Sequence, residues 1–273
     1  MIASVSYVKS ILEHNDLRAK KKFGQNFLID GNIVDKIARI ACIEGCTVIE
    51  VGPGIGSLTE MLLKYAQKVY AYEIDEDMYN ILNSTFKDNF KVELTDFLDV
   101  DLSSVPYKDE RLCFASNLPY YVTTPILFKL FEADLNFEKI TVMVQREVAD
   151  RFKAKTGSED YNALSIMVQY LYDVKLEMTI SKSVFYPAPN VDSAVVSFTP
   201  KISRDREFEK GFFDFVKLCF AKRRKTLQNN LKELMSSEAA TELIAQAGFK
   251  ATVRAQELSL AEFLKLYEVY RVR

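Results

Sequence analysis

Val48-Ile49-Glu50-Val51-Gly52-Pro53-Gly54-Ile55-Gly56 decides the fold of this 273-residue chain. The β-branched run from Thr47 to Val51 reads as a buried strand, and it ends in a glycine-rich turn. Leu58, Met61, Leu62 and Tyr65 then recur at helical spacing across Ser57 to Tyr65. Working outward, Val69 to Ile74 reads as a second strand and Met78 to Phe86 as a helix. Lys91 to Thr95 and Leu112 to Ser116 read as the third and fourth strands. Pro125 to Phe131 is a helix with proline near its start, where the missing N–H is harmless. Ile140 to Gln145 is a fifth strand. Strands alternating with helices at this spacing predict a doubly wound, mostly parallel α/β sheet. After Tyr161 comes a helix, then extended runs from Val174 to Ser181 and from Val191 to Pro200. Helical patterning takes over from Phe208. The composition shift near Ser203 predicts an α/β domain over 1–203 and a small all-helical domain over 204–273.

Glycines let the backbone approach a ligand closely, and a helix N-terminus favours anionic groups. Glu73 ends the second strand, about twenty residues beyond the turn, the offset at which an acid grips a ribose diol. Asp96 follows the third strand, placed to reach an adenine edge. A dinucleotide fingerprint would need glycine at position 57, where this chain has Ser57. The spacing Gly52, Gly54, Gly56 is instead usual for S-adenosylmethionine, which has no pyrophosphate to cradle. A turn with no ligand is the bland alternative, and acids at successive strand ends disfavour it. These features would share one crevice at the carboxyl ends of the strands.

The fourth strand runs into Asn117-Leu118-Pro119-Tyr120-Tyr121. An amide oxygen, a carbonyl ahead of a proline and an aromatic face would meet there. That set suits a poorly reactive exocyclic amine of a nucleobase, although Asn-x-Pro is also an ordinary turn.

Composition narrows the chemistry. Cys42, Cys46, Cys113 and Cys219 form no CxxC pair, and His14 is the only histidine. No metal site is expected, nor Ser-His or Cys-His nucleophilic catalysis. No apolar run is long enough to span a bilayer, and the N-terminus lacks the order of a signal peptide. A soluble, cytoplasmic protein is expected. The net charge of −2 argues against a nucleic-acid partner, but its distribution argues for one. Arg18, Lys20, Lys21 and Lys22 lie between Asp16 and Asp30 with no acid among them. Lys217, Lys222, Arg223, Arg224, Lys225 and Lys232 do the same between Asp214 and Glu233. Local basic clusters make an electrostatic footprint; solvated faces are the plain alternative.

Taken together, these blocks resemble class I methyltransferases with a Rossmann-like sheet, of the adenine-N6 type. One family is resembled closely: the ribosomal RNA small-subunit adenine dimethyltransferases. The likeness runs from about Lys22 to the C-terminus. Its markers are Lys22-Phe23-Gly24-Gln25-Asn26-Phe27-Leu28, the glycine turn, Asn117 to Pro125 and Gln145-Arg146-Glu147-Val148-Ala149. Phe185-Tyr186-Pro187-Ala188-Pro189-Asn190-Val191-Asp192-Ser193-Ala194 and Arg223-Arg224-Lys225-Thr226-Leu227 complete them. One departure is Asn162 after Tyr161, where the family usually has glycine.

The resemblance implies methyl transfer from S-adenosylmethionine to N6 of adjacent adenosines near the 3′ end of small-subunit rRNA. It also implies that Asn26, Leu28, Gly52, Glu73, Asp96 and Asn117 line the cofactor site. Gln25, Gly54, Gly56, Ile74 and Phe97, beside those residues, join the expected lining. The expected catalytic set is Asn117, Leu118, Pro119 and Tyr120, with Phe185 closing the second face of the base. The expected RNA contacts are Arg18, Lys20, Lys21, Lys22, Arg146, Lys222, Arg223, Arg224 and Lys225. The expected partner is the immature small ribosomal subunit, met by a monomer. A large-subunit rRNA methylase of the macrolide-resistance type shares the sheet, the glycine turn and the Asn-x-Pro-Tyr unit. Thr124-Pro125 and the Phe185 to Ala194 block favour the small-subunit family. A DNA adenine methyltransferase would need a separate base-reading domain. A ribosome-assembly or transcription factor that kept the fold and lost catalysis would not need Gly52, Glu73, Asp96 and Asn117 intact.

Overall fold

The computed structural model describes residues 1–17, 19–20, 23–201 and 204–273. They form two compact units. The first comprises Met1–Ala149 and Val174–Pro200, the second Asp150–Asp173 and Lys201–Arg273.

In the first unit, α1 (Val5–His14), β1 (Phe27–Leu28) and α2 (Gly31–Ala41) precede β2 (Thr47–Val51) and α3 (Ser57–Tyr65). Then come β3 (Lys68–Glu73), α4 (Glu76–Thr85), β4 (Phe90–Leu94), β5 (Leu112–Asn117), α5 (Thr123–Glu132) and β6 (Phe137–Gln145). Later segments add β7 (Tyr172–Ile180), β8 (Phe185–Tyr186) and β9 (Ser193–Pro200). Seven strands form one sheet in the order β4-β3-β2-β5-β6-β9-β7. The pairs β2/β3, β2/β5, β3/β4 and β5/β6 are parallel, and β6/β9 is antiparallel. The mostly parallel α/β sheet is as expected. Chain order reverses between β2 and β5, and such a switch opens a crevice at the carboxyl ends of the strands.

Every residue of β2 is buried, as a central parallel strand with both faces covered requires. Val34, Ile37, Ala38 and Ala41 form the apolar stripe of α2. With Leu58, Met61 and Leu62 of α3 they pack onto Val48, Val69, Cys113 and Ala115. Asp30 caps α2, accepting the N–H groups of Asn32 and Ile33. Neither α1 nor the β1/β8 pair was expected. Helix α1 is held by Val8 and Leu12 packing with Phe27, Ile55, Met78 and Ile81, contacts far away in sequence.

The second unit is all-helical apart from the start of β7. Helix α6 (Arg146–Phe152) leads into it, followed by α7 (Ala163–Leu171), α8 (Arg206–Cys219), α9 (Leu227–Leu231), α10 (Ser237–Gln246) and α11 (Leu260–Arg271). Its core is aromatic: Tyr170 lies 5.5 Å from Phe212, which lies 5.5 Å from Tyr267. That packing explains a difference from the single boundary expected at Ser203, a residue outside the described ones. Helix α7 joins α8 and α11, so residues 150–173 go with the C-terminal helices. Asn162 also finds its reason here. It caps α7, accepting the Leu164 N–H at 2.9 Å, so glycine is not needed. Among the described residues no helix is long and apolar enough to cross a membrane.

Candidate active site

Strand β2 delivers the glycine turn to the crevice. Gly54 has φ +58°, and a Cβ there would lie 3.1 Å from the Phe27 ring, so the turn favours glycine at this approach. Glu73, the last residue of β3, braces the turn. Its Oε2 accepts the Gly54 N–H at 3.0 Å and its Oε1 the Asp75 N–H at 2.9 Å. Burial raises the Glu73 pKa. Asp96 follows β4, and its Oδ1 accepts the Leu98 N–H at 2.9 Å. That bond starts a short 3-10 turn over Phe97–Asp99, which sets Phe97 in the pocket wall.

Asn117 ends β5 opposite Met143, and Leu118 extends the pairing by one bond, N–H to Met143 C=O at 3.1 Å. The Asn117 Nδ2 donates to the Asn26 carbonyl at 3.3 Å. Its Oδ1 and the Leu118 carbonyl accept no hydrogen bond from any described residue. The Pro119 carbonyl, in contrast, accepts from Thr123 Oγ1 at 3.0 Å and turns the chain into α5. The Tyr120 hydroxyl meets Ser193 Oγ at 2.6 Å, which fixes the ring, and burial raises its pKa. Residues 23–28 form the facing wall.

One pocket is thus lined by Gln25, Asn26, Leu28, Gly52, Gly54, Glu73, Ile74, Asp96, Phe97 and the run 117–120, all expected from the sequence. Two expected residues lie elsewhere. Gly56 caps α3 at φ +88°, where a Cβ would lie 2.5 Å from the Phe86 ring; its glycine serves packing. Phe185 is 3% exposed, pairs with Leu28 across β1/β8, and belongs to the core with Val34 and Val195. Core packing, not the face of a base, is its place in this structure. Glu50, Ser57 and Tyr121 also line the pocket and were not among the expected site residues. An acid inside a buried strand, two residues before Gly52, was the available signal for Glu50. Its carboxyl accepts from Thr59 Oγ1 at 2.7 Å, and burial pushes its pKa up to about 8.

Of the expected RNA contacts, Arg18, Lys21 and Lys22 lie outside the described residues. Lys20 is already engaged: its Nζ lies 2.6 Å from Asp75 Oδ1 and 2.5 Å from Asp77 Oδ2. Two carboxylates hold that charge, which corrects the expected phosphate contact. Arg146 is exposed and donates to Thr179 Oγ1 at 2.9 Å. Lys222 pairs with Glu233 at 2.8 Å. Arg223, Arg224 and Lys225 are exposed and form no ion pair with any described residue.

An adenosine bearing an amino-acid tail fits this donor set. The Gly54 cradle, which a Cβ would fill, lies beside two acids and the apolar walls of Ile74 and Phe97. A family model described as ribosomal RNA adenine dimethylase matches residues 16–271. Ribosomal RNA small subunit methyltransferase A of Mycoplasmopsis pulmonis is 42% identical over 252 residues, covering 92% of this chain and 98% of its own. A dimethyladenosine transferase from Plasmodium falciparum superposes with a TM-score of 0.70 at 25% identity, covering 90% of this chain and 97% of its own. The 23S rRNA methyltransferase ErmE superposes at 0.61 with 26% identity, covering 89% and 99%. On this sequence match, and with the pocket that accompanies it, the chain belongs to the ribosomal RNA adenine dimethylase family.

Proposed function

We propose that this chain transfers methyl groups from S-adenosylmethionine to N6 of adjacent adenosines near the 3′ end of small-subunit rRNA, giving dimethyladenosines. The observation that carries this reading is the pair of unengaged acceptors, Asn117 Oδ1 and the Leu118 carbonyl, on the wall of the pocket that Glu73 and Asp96 also line. When bound, S-adenosylmethionine supplies an electrophilic methyl group on a sulfonium. Glu73 would hold its ribose diol and Asp96 its adenine edge, with Ile74 and Phe97 against the ring and segment 25–28 over it.

An adenine amine is a poor nucleophile because its lone pair is delocalised into the ring. In the first transfer Asn117 Oδ1 and the Leu118 carbonyl each accept one N–H, and in the second the one remaining N–H keeps one of them; both arrangements favour a pyramidal nitrogen with a localised lone pair. Neither acceptor carries a charge, so the proton leaves to solvent after transfer rather than before it. The Asn26 carbonyl holds the Asn117 amide by its nitrogen, which aims Oδ1 for this task. Tyr120 stacks on the base, its orientation held by Ser193, and stacking offsets part of the cost of extracting the base. The main contribution is therefore positioning and electrostatics. In this reading the protein works as a cytoplasmic monomer on immature small subunits.

The test incubates labelled S-adenosylmethionine with immature small subunits, large subunits and naked DNA, then maps the modified base. Label on adenine N6 of the small subunit is expected; label confined to the large subunit or DNA overturns the reading. Asn117→Ala should lose methyl transfer by roughly two orders of magnitude in kcat at saturating donor. A near-wild-type rate would remove the role given to Asn117.

A further inference from the structure

We infer that Lys20 is a positioning residue: with Gln25 and Asp75 it latches segment 23–28 across the pocket and sets how long the cofactor stays bound. This rests on the pocket being the S-adenosylmethionine site.

Asp75 is 2% exposed, and a buried carboxylate requires partners. It takes them mostly from the N-terminal segment. Its Oδ1 accepts from Lys20 Nζ at 2.6 Å and its Oδ2 from Gln25 Nε2 at 2.7 Å. The Gln25 Oε1 in turn accepts the Lys20 backbone N–H at 2.8 Å, which closes a small ring of bonds. Lys20 Nζ also donates to Asp77 Oδ2 at 2.5 Å. The hydrogen bond to Asp75, then that to Asp77, raises the Lys20 pKa, so the latch stays charged at neutral pH.

The latch continues into the pocket floor. The Asp75 N–H goes to Glu73 Oε1, and Glu73 Oε2 takes the Gly54 N–H. The segment is held again where the Asn26 carbonyl receives Asn117 Nδ2. Its one strand is the two-residue β1, at Phe27–Leu28. A wall with so few ladder bonds opens at low cost unless its ends are fastened. Solvent reaches the Lys20–Asp77 fastening, the two side chains being 31% and 39% exposed. Salt therefore weakens it.

The experiment measures dissociation of labelled S-adenosylmethionine from the full chain without RNA, in wild type, Lys20→Met, Lys20→Arg and Asp77→Asn. Lys20→Met removes both charge-assisted bonds of Nζ and should release the donor at least about tenfold faster. KM for the donor should rise in step, while kcat at saturating donor stays within about twofold. Lys20→Arg should restore slow release. Wild-type release should quicken with salt and Lys20→Met release should not. Adding Asp77→Asn to Lys20→Met should change nothing further, since Lys20→Met has already removed the Asp77 bond. Equal release in wild type and Lys20→Met, or salt-independent release in wild type, overturns the latch. Failure of wild type to bind the donor at all overturns the pocket assignment instead.

Discussion

Glu50 shows how one side chain records the environment of the site. It sits within β2, wholly buried, with Thr59 as its hydrogen-bond donor. Burial disfavours the carboxylate and raises its pKa to about 8. The folded protein therefore holds a proton that the unfolded chain has already released above the ordinary carboxylate range. Where the folded state binds more protons, stability falls as pH rises. This loss accumulates from about pH 4.5 and is complete above about pH 8. Glu50→Gln keeps an acceptor for Thr59 and removes the titration. Its melting temperature should fall less than that of wild type between about pH 6 and about pH 9. Parallel curves for the two proteins would show that Glu50 does not titrate in that window.

Helix α3 illustrates the same logic for an element. Gly56 precedes its first residue with φ +88°, and the space beyond is filled by the Phe86 ring. Gly56→Ala should cost about 2–4 kcal/mol from the left-handed backbone and the displaced ring. Donor affinity of the folded protein should stay near wild type, because the pocket wall does not include Gly56. A thermal melt paired with donor titration separates the outcomes; lost affinity without lost stability would return Gly56 to the cofactor site. The β2–turn–α3 unit was legible because its signals are local: a β-branched run, closely spaced glycines, then helical periodicity. Asn117 to Tyr120 was legible for the same reason, as a compact motif after a buried strand. Helix α1, the β1/β8 pair and the Lys20 latch were not. Each depends on partners brought together only by folding: Phe27 with Val8, Leu28 with Phe185, Lys20 with Asp75. Phe185 misled because an aromatic in a motif reads alike whether it faces a ligand or the core.

Across the whole molecule, a net charge of −2 conceals which basic residues remain to meet a polyanion. Lys20 is held by two carboxylates and Lys222 by Glu233, so being basic in sequence does not make a residue available in the fold. Arg223, Arg224 and Lys225 are exposed, in the turn that follows α8, and carry no ion pair with a described residue. Arginine suits this task because its planar fork binds phosphate through paired hydrogen bonds. Each phosphate contact releases counterions and adds roughly 0.7–0.9 to the slope of log affinity against log salt. Replacing Arg223 and Arg224 together by alanine should therefore weaken binding to the rRNA substrate and lower that slope by about 1.5, if each meets one phosphate. Lys222→Ala should do less, because its charge is already partnered, although an exposed pair holds it only weakly. Donor affinity measured without RNA should stay unchanged in both variants, since these residues lie outside the unit that contains the pocket. An unaltered salt slope in the double variant would mean that the arginines meet solvent rather than phosphate, and that the RNA footprint lies elsewhere.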